Sequence, residues 1–155
     1  MLSWPPMKLS KKAEYALRAL VAMARDTAGR TFSIQEISTG ERIPLKFLEQ
    51  ILLVLKHAGI LRSKRGVGGG YQLARPTKRI TVADVLDQID GPAEPIPCAA
   101  AAGKQIACEC GIVGACSLGQ TLAGLRDQTR AWQTGVTIAD IVEREHTRAA
   151  GTFEI

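Results

Sequence analysis

Four of the five residues from Gly66 to Gly70 are glycine. Each glycine inside a helix costs about 1 kcal/mol relative to alanine, so this stretch is not helical. Ile60 to Lys64 before it and Tyr71 to Ala74 after it read as short extended segments, and Arg65-Gly-Val-Gly-Gly-Gly70 joins them as a hairpin tip. The leading side of that tip is basic, carrying Arg62, Lys64 and Arg65. A glycine-rich loop can also cradle a nucleotide phosphate, but only where the glycines open directly into a helix. Tyr71-Gln-Leu-Ala74 looks extended and no Gly-Lys-Ser/Thr follows, which excludes that use.

Three helices are expected before the hairpin. Ser10 is a plausible N-cap for the first, running to about Ala28, with Leu9, Ala13, Ala16, Leu17, Leu20, Val21 and Ala24 at spacings of three and four and Gly29 as its stop. A second opens with the capping box Ser33-Ile-Gln-Glu36 and is short, because Thr39 and Gly40 break it. Pro44 suits the first position of a third, whose buried stripe is Leu48, Ile51, Leu52 and Leu55 and whose stop is Gly59. After the hairpin, Thr81-Val-Ala-Asp84 caps a fourth helix with Val82, Val85, Leu86 and Ile89 inward. Gly91 to Ala107 is rich in Pro, Ala and Gly and reads as a loop. Beyond Cys116 a long helix carries Leu118, Leu122, Leu125, Thr129 and Trp132, an apolar seam of two heptads. Thr137-Ile-Ala-Asp140 caps a last short helix.

Helix, short helix, tight turn, helix and basic hairpin is the order of a winged helix-turn-helix. The fold class expected is therefore mainly α with a small β-hairpin wing, followed by a long C-terminal dimerisation helix. Residues 7–90 form the DNA-binding domain, 91–117 a cysteine-bearing loop, and 118–145 the dimerisation and terminal helices. In such a fold the third helix enters the major groove, where base edges carry a distinct donor and acceptor code. Lys46, Glu49, Gln50, Lys56 and His57 lie away from its apolar stripe. Gln50 suits adenine, Glu49 can accept from cytosine, and Lys46 can reach guanine or phosphate. Any amphipathic helix has such a face; the hairpin adds to it, because Arg65 with Lys64 beside it can enter a minor groove.

Charge agrees. Residues 1–90 carry 15 Lys/Arg against 8 Asp/Glu, whereas residues 91–155 carry 5 against 7. From Gln50 to Ala83 there are seven basic residues and no acid, the footprint of a polyanion partner. No run of about 18 apolar residues occurs, so no membrane span is expected. Met1 to Pro6 lacks the basic start and apolar stretch of a signal peptide, and cytoplasmic residence is the expectation.

All four cysteines, Cys98, Cys108, Cys110 and Cys116, fall within nineteen residues. In a reducing compartment clustered thiols point to metal or redox chemistry rather than structural disulfides. Four thiolates can complete a zinc site or hold an iron–sulfur cluster. The spacing lacks the paired Cys-x2-Cys knuckles usual for zinc, and Ala99 to Gly103, Gly111 and Gly114 supply the uncharged spacers of a wrapping loop.

Three stretches, Met7-Lys-Leu-Ser-Lys-Lys-Ala-Glu-Tyr-Ala-Leu-Arg18, Ile43-Pro-Leu-Lys-Phe-Leu-Glu-Gln50 and Arg65-Gly-Val-Gly-Gly-Gly-Tyr-Gln-Leu-Ala74, resemble the Rrf family of winged-helix transcription regulators, which includes IscR- and NsrR-like proteins. The resemblance covers Met7 to about Glu143. It implies a homodimer on a roughly palindromic double-stranded operator, with Lys46, Glu49 and Gln50 at base edges and Arg65 in the minor groove; the basic Lys56 and Lys64 complete the expected DNA-binding set. It also implies an iron–sulfur cluster, of the 2Fe–2S type first and the 4Fe–4S type second, held by Cys98, Cys110 and Cys116. IscR-like members place a histidine three residues after the last cysteine, where this chain has Gly119. Cys108 and Glu14, the latter offered by the partner subunit, are the two candidates for the fourth ligand.

The function expected is a dimeric DNA-binding regulator that senses iron–sulfur, redox or nitrosative state through its cysteines. A cluster-free thiol switch and a zinc-stabilised interaction module are the alternatives. No Ser-His-Asp set, Walker motif or dinucleotide fingerprint supports an enzyme.

Overall fold

The computed structural model describes residues 9–26, 28–92, 99 and 116–151. The elements run α1 (Lys11–Ala24), α2 (Ile34–Glu41), α3 (Leu45–His57), β1 (Leu61–Lys64), β2 (Gly70–Leu73), a 3-10 turn (Thr77–Arg79), α4 (Val82–Ile89), α5 (Ser117–Gly135) and α6 (Ile138–Gly151). This is the mainly helical, winged arrangement expected, with one two-stranded antiparallel hairpin among the described residues.

The expected apolar stripe of α3 is the centre of the core: Leu48, Ile51, Leu52 and Leu55 are each fully buried. Leu20 and Met23 of α1, Ile80, Val85 and Ile138 complete it. Burying one such side chain is worth about 1.5–3 kcal/mol, so the stripe fixes how α3 sits. Its opposite face is thereby committed to solvent.

Local chemistry sets the helix ends. Ser10 Oγ accepts the Ala13 amide at 3.0 Å and starts α1 as expected. The helix stops at Ala24, four residues short of the expected end, because Asp26 accepts the Ala28 amide at 2.9 Å and the Arg30 guanidinium at 2.6 Å, bending the chain away. Leu9, which precedes the Ser10 cap, lies outside the helix and is exposed. Ser33 caps α2 through the Glu36 amide at 3.1 Å, but the Glu36 carboxylate is held chiefly by Arg30, with the Ser33 amide a lesser partner. Thr39 and Gly40 do not break α2. The stop is Arg42 in the left-handed conformation, where Ser38 closes the turn through both its carbonyl and its hydroxyl to Ile43. Pro44 is the N-cap of α3 rather than its first residue.

The wing pairs Leu61 with Leu73, Arg62 with Gln72, Ser63 with Tyr71 and Lys64 with Gly70. It is not a free arm. Phe32 and Tyr71 exchange two backbone hydrogen bonds of 2.8 Å, which adds the α1–α2 connection as a third rung. A Cβ on Gly70 would lie 2.1 Å from the Phe32 carbonyl oxygen, so only glycine lets these backbones meet.

Helices α4 and α6 begin side by side. Thr81 and Asp84 form a reciprocal capping box at 3.0 Å each way, and Thr137 and Asp140 repeat it. The two starts are joined by the Val82 amide to Val136 and the Ile138 amide to Ile80, both 2.9 Å. From there α6 returns across α1, and its length to Gly151 exceeds the short helix expected. Arg25 clamps the crossing. It donates to Glu145 of α6 at 2.9 Å and to Glu41 of α2 at 3.0 Å.

Two expected outcomes follow from this packing. Gly70→Ala should lower stability by about 2 kcal/mol, the worth of two lost backbone bonds, whereas Gly40→Ala, helical and with open space around it, should gain up to about 1 kcal/mol. Denaturant melts of the two variants check both signs. Glu145 is held below the usual carboxylate range chiefly by the Arg25 hydrogen bond, so its contribution is present above that range and fades as pH falls through the lowered value. With both side chains nearly half exposed, Glu145→Gln should cost no more than about 1 kcal/mol at neutral pH and progressively less toward about pH 2. Thermal melts that run parallel at all pH values would contradict the clamp.

Candidate nucleic-acid interface and cysteine site

The buried stripe turns Lys46, Glu49, Gln50, Lys56 and His57 outward, and all five are exposed. Lys64 and Arg65, at the end of β1 and in the tip, are exposed as well. The tip closes with the Gly69 amide donating to the Gly66 carbonyl at 2.9 Å. A Cβ on Gly69 would stand 2.6 Å from the Lys64 carbonyl oxygen, so glycine is required for the tight return.

Several arginines elsewhere are tied down. Arg18 reaches Glu14 and Glu41, Arg25 holds Glu41 and Glu145, Arg30 holds Asp26 and Glu36, and Arg130 holds Asp87. None of Lys46, Glu49, Gln50, Lys56, Lys64 and Arg65 has an ion pair or side-chain hydrogen bond with another described residue. Their hydrogen-bonding groups are left to solvent.

The turn that sets α3 against α2 is held from outside. Arg18 of α1 donates to the Glu41 carbonyl, immediately before left-handed Arg42, and its guanidinium also lies 3.6 Å from the Glu41 carboxylate. Sequence pattern missed this support, because Arg18 and Glu41 are 23 residues apart. Leu53 was also missed. It falls off the Leu48–Leu55 stripe and is half exposed on the outward face, which the helical period alone could have revealed.

Of the expected cluster ligands, Cys98, Cys108 and Cys110 lie outside the described residues. Cys116 is half-buried and serves as the N-cap of α5, its Sγ accepting the Gly119 amide at 3.5 Å. A metal-bound thiolate accepts the same bond, so the position suits a soft-metal ligand. Gly119, where IscR-like proteins carry histidine, is buried at this first turn. Glu14 is engaged on its own helix, 2.6 Å from Lys11 and 3.6 Å from Arg18, and Lys11 chiefly holds its carboxyl below the usual range. Among the described residues no three His, Cys, Asp or Glu side chains are grouped to hold a metal.

The expected seam of α5 is largely uncovered within the described part of the chain. Leu118, Leu125 and Trp132 are 58%, 42% and 56% exposed, while Leu122 and Thr129 are half-buried. The outer surface of α5 is fixed relative to α4 by Arg130, which grips Asp87 at 2.6 Å. No described helix is long and apolar enough to cross a membrane.

Comparison with known proteins follows this geometry. The sequence model of the Rrf2 family, described as iron-dependent transcriptional regulator, matches residues 9–144. An rrf2-like HTH-type transcriptional regulator of Rhodobacter capsulatus is 35% identical over 118 residues, 74% of this chain and 79% of that protein. IscR of Cereibacter sphaeroides is 41% identical over 86 residues, which span 54% of this chain and about half (56%) of that relative. Among solved structures, IscR of T. potens superposes with a TM-score of 0.73 at 22% identity, covering 90% of this chain and 89% of that one. The oxidized form of Staphylococcus aureus CymR gives 0.69 at 26% identity, covering 88% and 97%. These relatives are transcription regulators, not enzymes, and the family match runs from α1 through α5 into the first half of α6. The chain belongs to the Rrf2 family of transcriptional regulators.

Proposed function

We propose that this regulator is a homodimer that reads a roughly palindromic operator with α3 in the major groove and Arg65 of the wing in the minor groove, and that its signal enters through the cysteine segment. The observation that carries the DNA reading is the contrast in pairing. Arg18, Arg25 and Arg30 are neutralised by carboxylates, while Lys46, Lys56, Lys64 and Arg65 stand without a described partner on one outer helix face and the hairpin beside it. Lys46, Glu49 and Gln50, near the start of α3, address base edges; Lys56 and Lys64 hold phosphates.

A second copy covers the Leu118–Trp132 seam. Three large apolar side chains in a helical row, each more than two-fifths exposed, match a two-chain helical contact better than a solvated surface. Half-sites on one face of B-DNA lie about 34–36 Å apart, so the set of α5 against α1–α4 and the wing governs whether both reading helices fit.

Cys98, Cys110 and Cys116 would hold an iron–sulfur cluster, with Cys108 or Glu14 of the other chain as the remaining ligand. When bound, such a cluster supplies chemistry sensitive to iron supply, oxygen, nitric oxide and redox poise. Cys116 is the residue that passes a change in the segment onward, because it caps α5, and α5 is gripped to α4 by Arg130 and Asp87. The likeness to an oxidized CymR favours a second reading, in which the same cysteines act as a thiol switch without a cofactor.

Anaerobic purification with a visible spectrum and with iron and acid-labile sulfide measured per chain separates these. Matched iron and sulfide with a brown color that bleaches in air, lost in Cys116→Ala, is the expected result; a colorless, iron-free protein selects the thiol switch, and zinc the interaction module. For the DNA reading, specific binding should fall by roughly a thousandfold between about 50 and about 200 mM salt, as for a protein making 6–10 phosphate contacts. Lys64→Ala should reduce the log–log salt slope by about 1 per half-site, whereas Gln50→Ala should relax specificity at one position. Binding that ignores salt would sink the interface.

A further inference from the structure

Three large apolar side chains of α3 are exposed, Leu45, Phe47 and Leu53, and of these Leu53 alone lies near the pole opposite the buried stripe, among polar neighbors. At 100° per residue it lies roughly 150° round α3 from the buried Leu48–Ile51–Leu52–Leu55 stripe, so it is not a core residue spilling outward. Gln50 and Glu49 precede it by three and four residues, and Lys56 and His57 follow at the same spacings, all exposed. Leu53 itself is 47% exposed. Leu53 is not among the side chains packed on the core, and the chain from Gln50 to Ala83 is basic without a single acid, which suits a polyanion facing this surface.

We propose that Leu53 is a specificity-determining residue of the reading face, selecting thymine at one position of each half-site by packing against its C5-methyl group. The inference rests on the reading that α3 enters the major groove. That groove displays one apolar group, the thymine methyl, among donors and acceptors. A leucine pressed on the exocyclic amine of cytosine or adenine would strip its water and return no hydrogen bond, so the same side chain also selects against those bases. The polar residues around Leu53 anchor the helix, and Leu53 adds a contact that tolerates no polar substitute.

The test uses the full chain, purified anaerobically, and a duplex it enriches from a random-sequence pool. Each thymine of that duplex is replaced in turn by deoxyuridine, symmetrically in both half-sites, and binding is measured at one fixed salt concentration. Wild type should lose about fourfold per half-site at one thymine, the worth of one buried methyl group. Leu53→Ala should bind the thymine and uridine duplexes equally, and Leu53→Met should restore the preference. Unchanged melting temperatures of both variants confirm that the fold is intact. Wild-type indifference to uridine at every position overturns the inference, as does a thymine preference that survives in Leu53→Ala; either leaves a simple helix-forming leucine. If no duplex is enriched, the major-groove reading fails with it.

Discussion

The placement of α5 and α6 against the rest of the described chain depends on a small contact between two helix starts. Val82 donates to Val136 and Ile138 donates to Ile80, each at 2.9 Å, and Ile138 is driven fully into the core beside them. Two backbone bonds alone contribute only a few kcal/mol. They hold because each flanking threonine is itself fixed by an aspartate three residues on, so neither helix start can unwind to release its neighbor. The joint ties the end of α5 to the base of the wing and sends α6 back over α1. Arg25 then closes the circuit from α6 to the end of α2, next to the turn that aims α3.

Charge is partitioned along the same lines. Carboxylates of α1, α2 and α6 are used on Arg18, Arg25 and Arg30, whereas Lys46, Lys56, Lys64 and Arg65, like Lys12, Arg42 and Arg79, have no carboxylate partner among the described residues. Exposed pairs of this kind add little stability each. Their larger consequence is to cancel cations on α1 and the α1–α2 connection, which on the proposed reading leaves the wing and α3 to draw the polyanion.

Much of this is legible in the amino-acid sequence. The α3 stripe, the threonine–aspartate caps and the glycine hairpin are local patterns with few alternative conformations, and each appears within a residue or two of its expected place. What escaped were features decided by partners distant in sequence or by side chains competing for the backbone. Asp26 ends α1 through hydrogen bonds that periodicity does not register, Arg42 adopts a left-handed conformation despite its side chain, and Phe32 joins the wing as a single isolated rung. Glu36 illustrates the same limit. Its capping box was readable, but Arg30, stacked 3.8 Å over Phe32, takes most of the carboxylate. The candidate DNA-reading residues were legible because they follow from what the stripe leaves outside; the cysteines were legible as a cluster of soft ligands, but not as a geometry.

The stiffness of the circuit constrains how a signal could reach DNA. The Cys116 Sγ starts α5, Arg130 grips α4 fourteen residues further along that helix, and the helix ends at the Thr81–Thr137 joint. On the proposed reading, a change at the first turn is carried along α5 to its contact with α4 and to that joint. On the dimeric reading the seam Leu118–Trp132 is the axis about which two copies of α1–α4 and the wing are set, and a rotation there moves α3 and wing together rather than one against the other. Coupling by rigid-body rotation needs no rearrangement inside the reading surface. The Phe32–Tyr71 rung and the close approach at Gly70 favor this mode, because they bind the wing to the connection between α1 and α2 and leave the hairpin no independent swing.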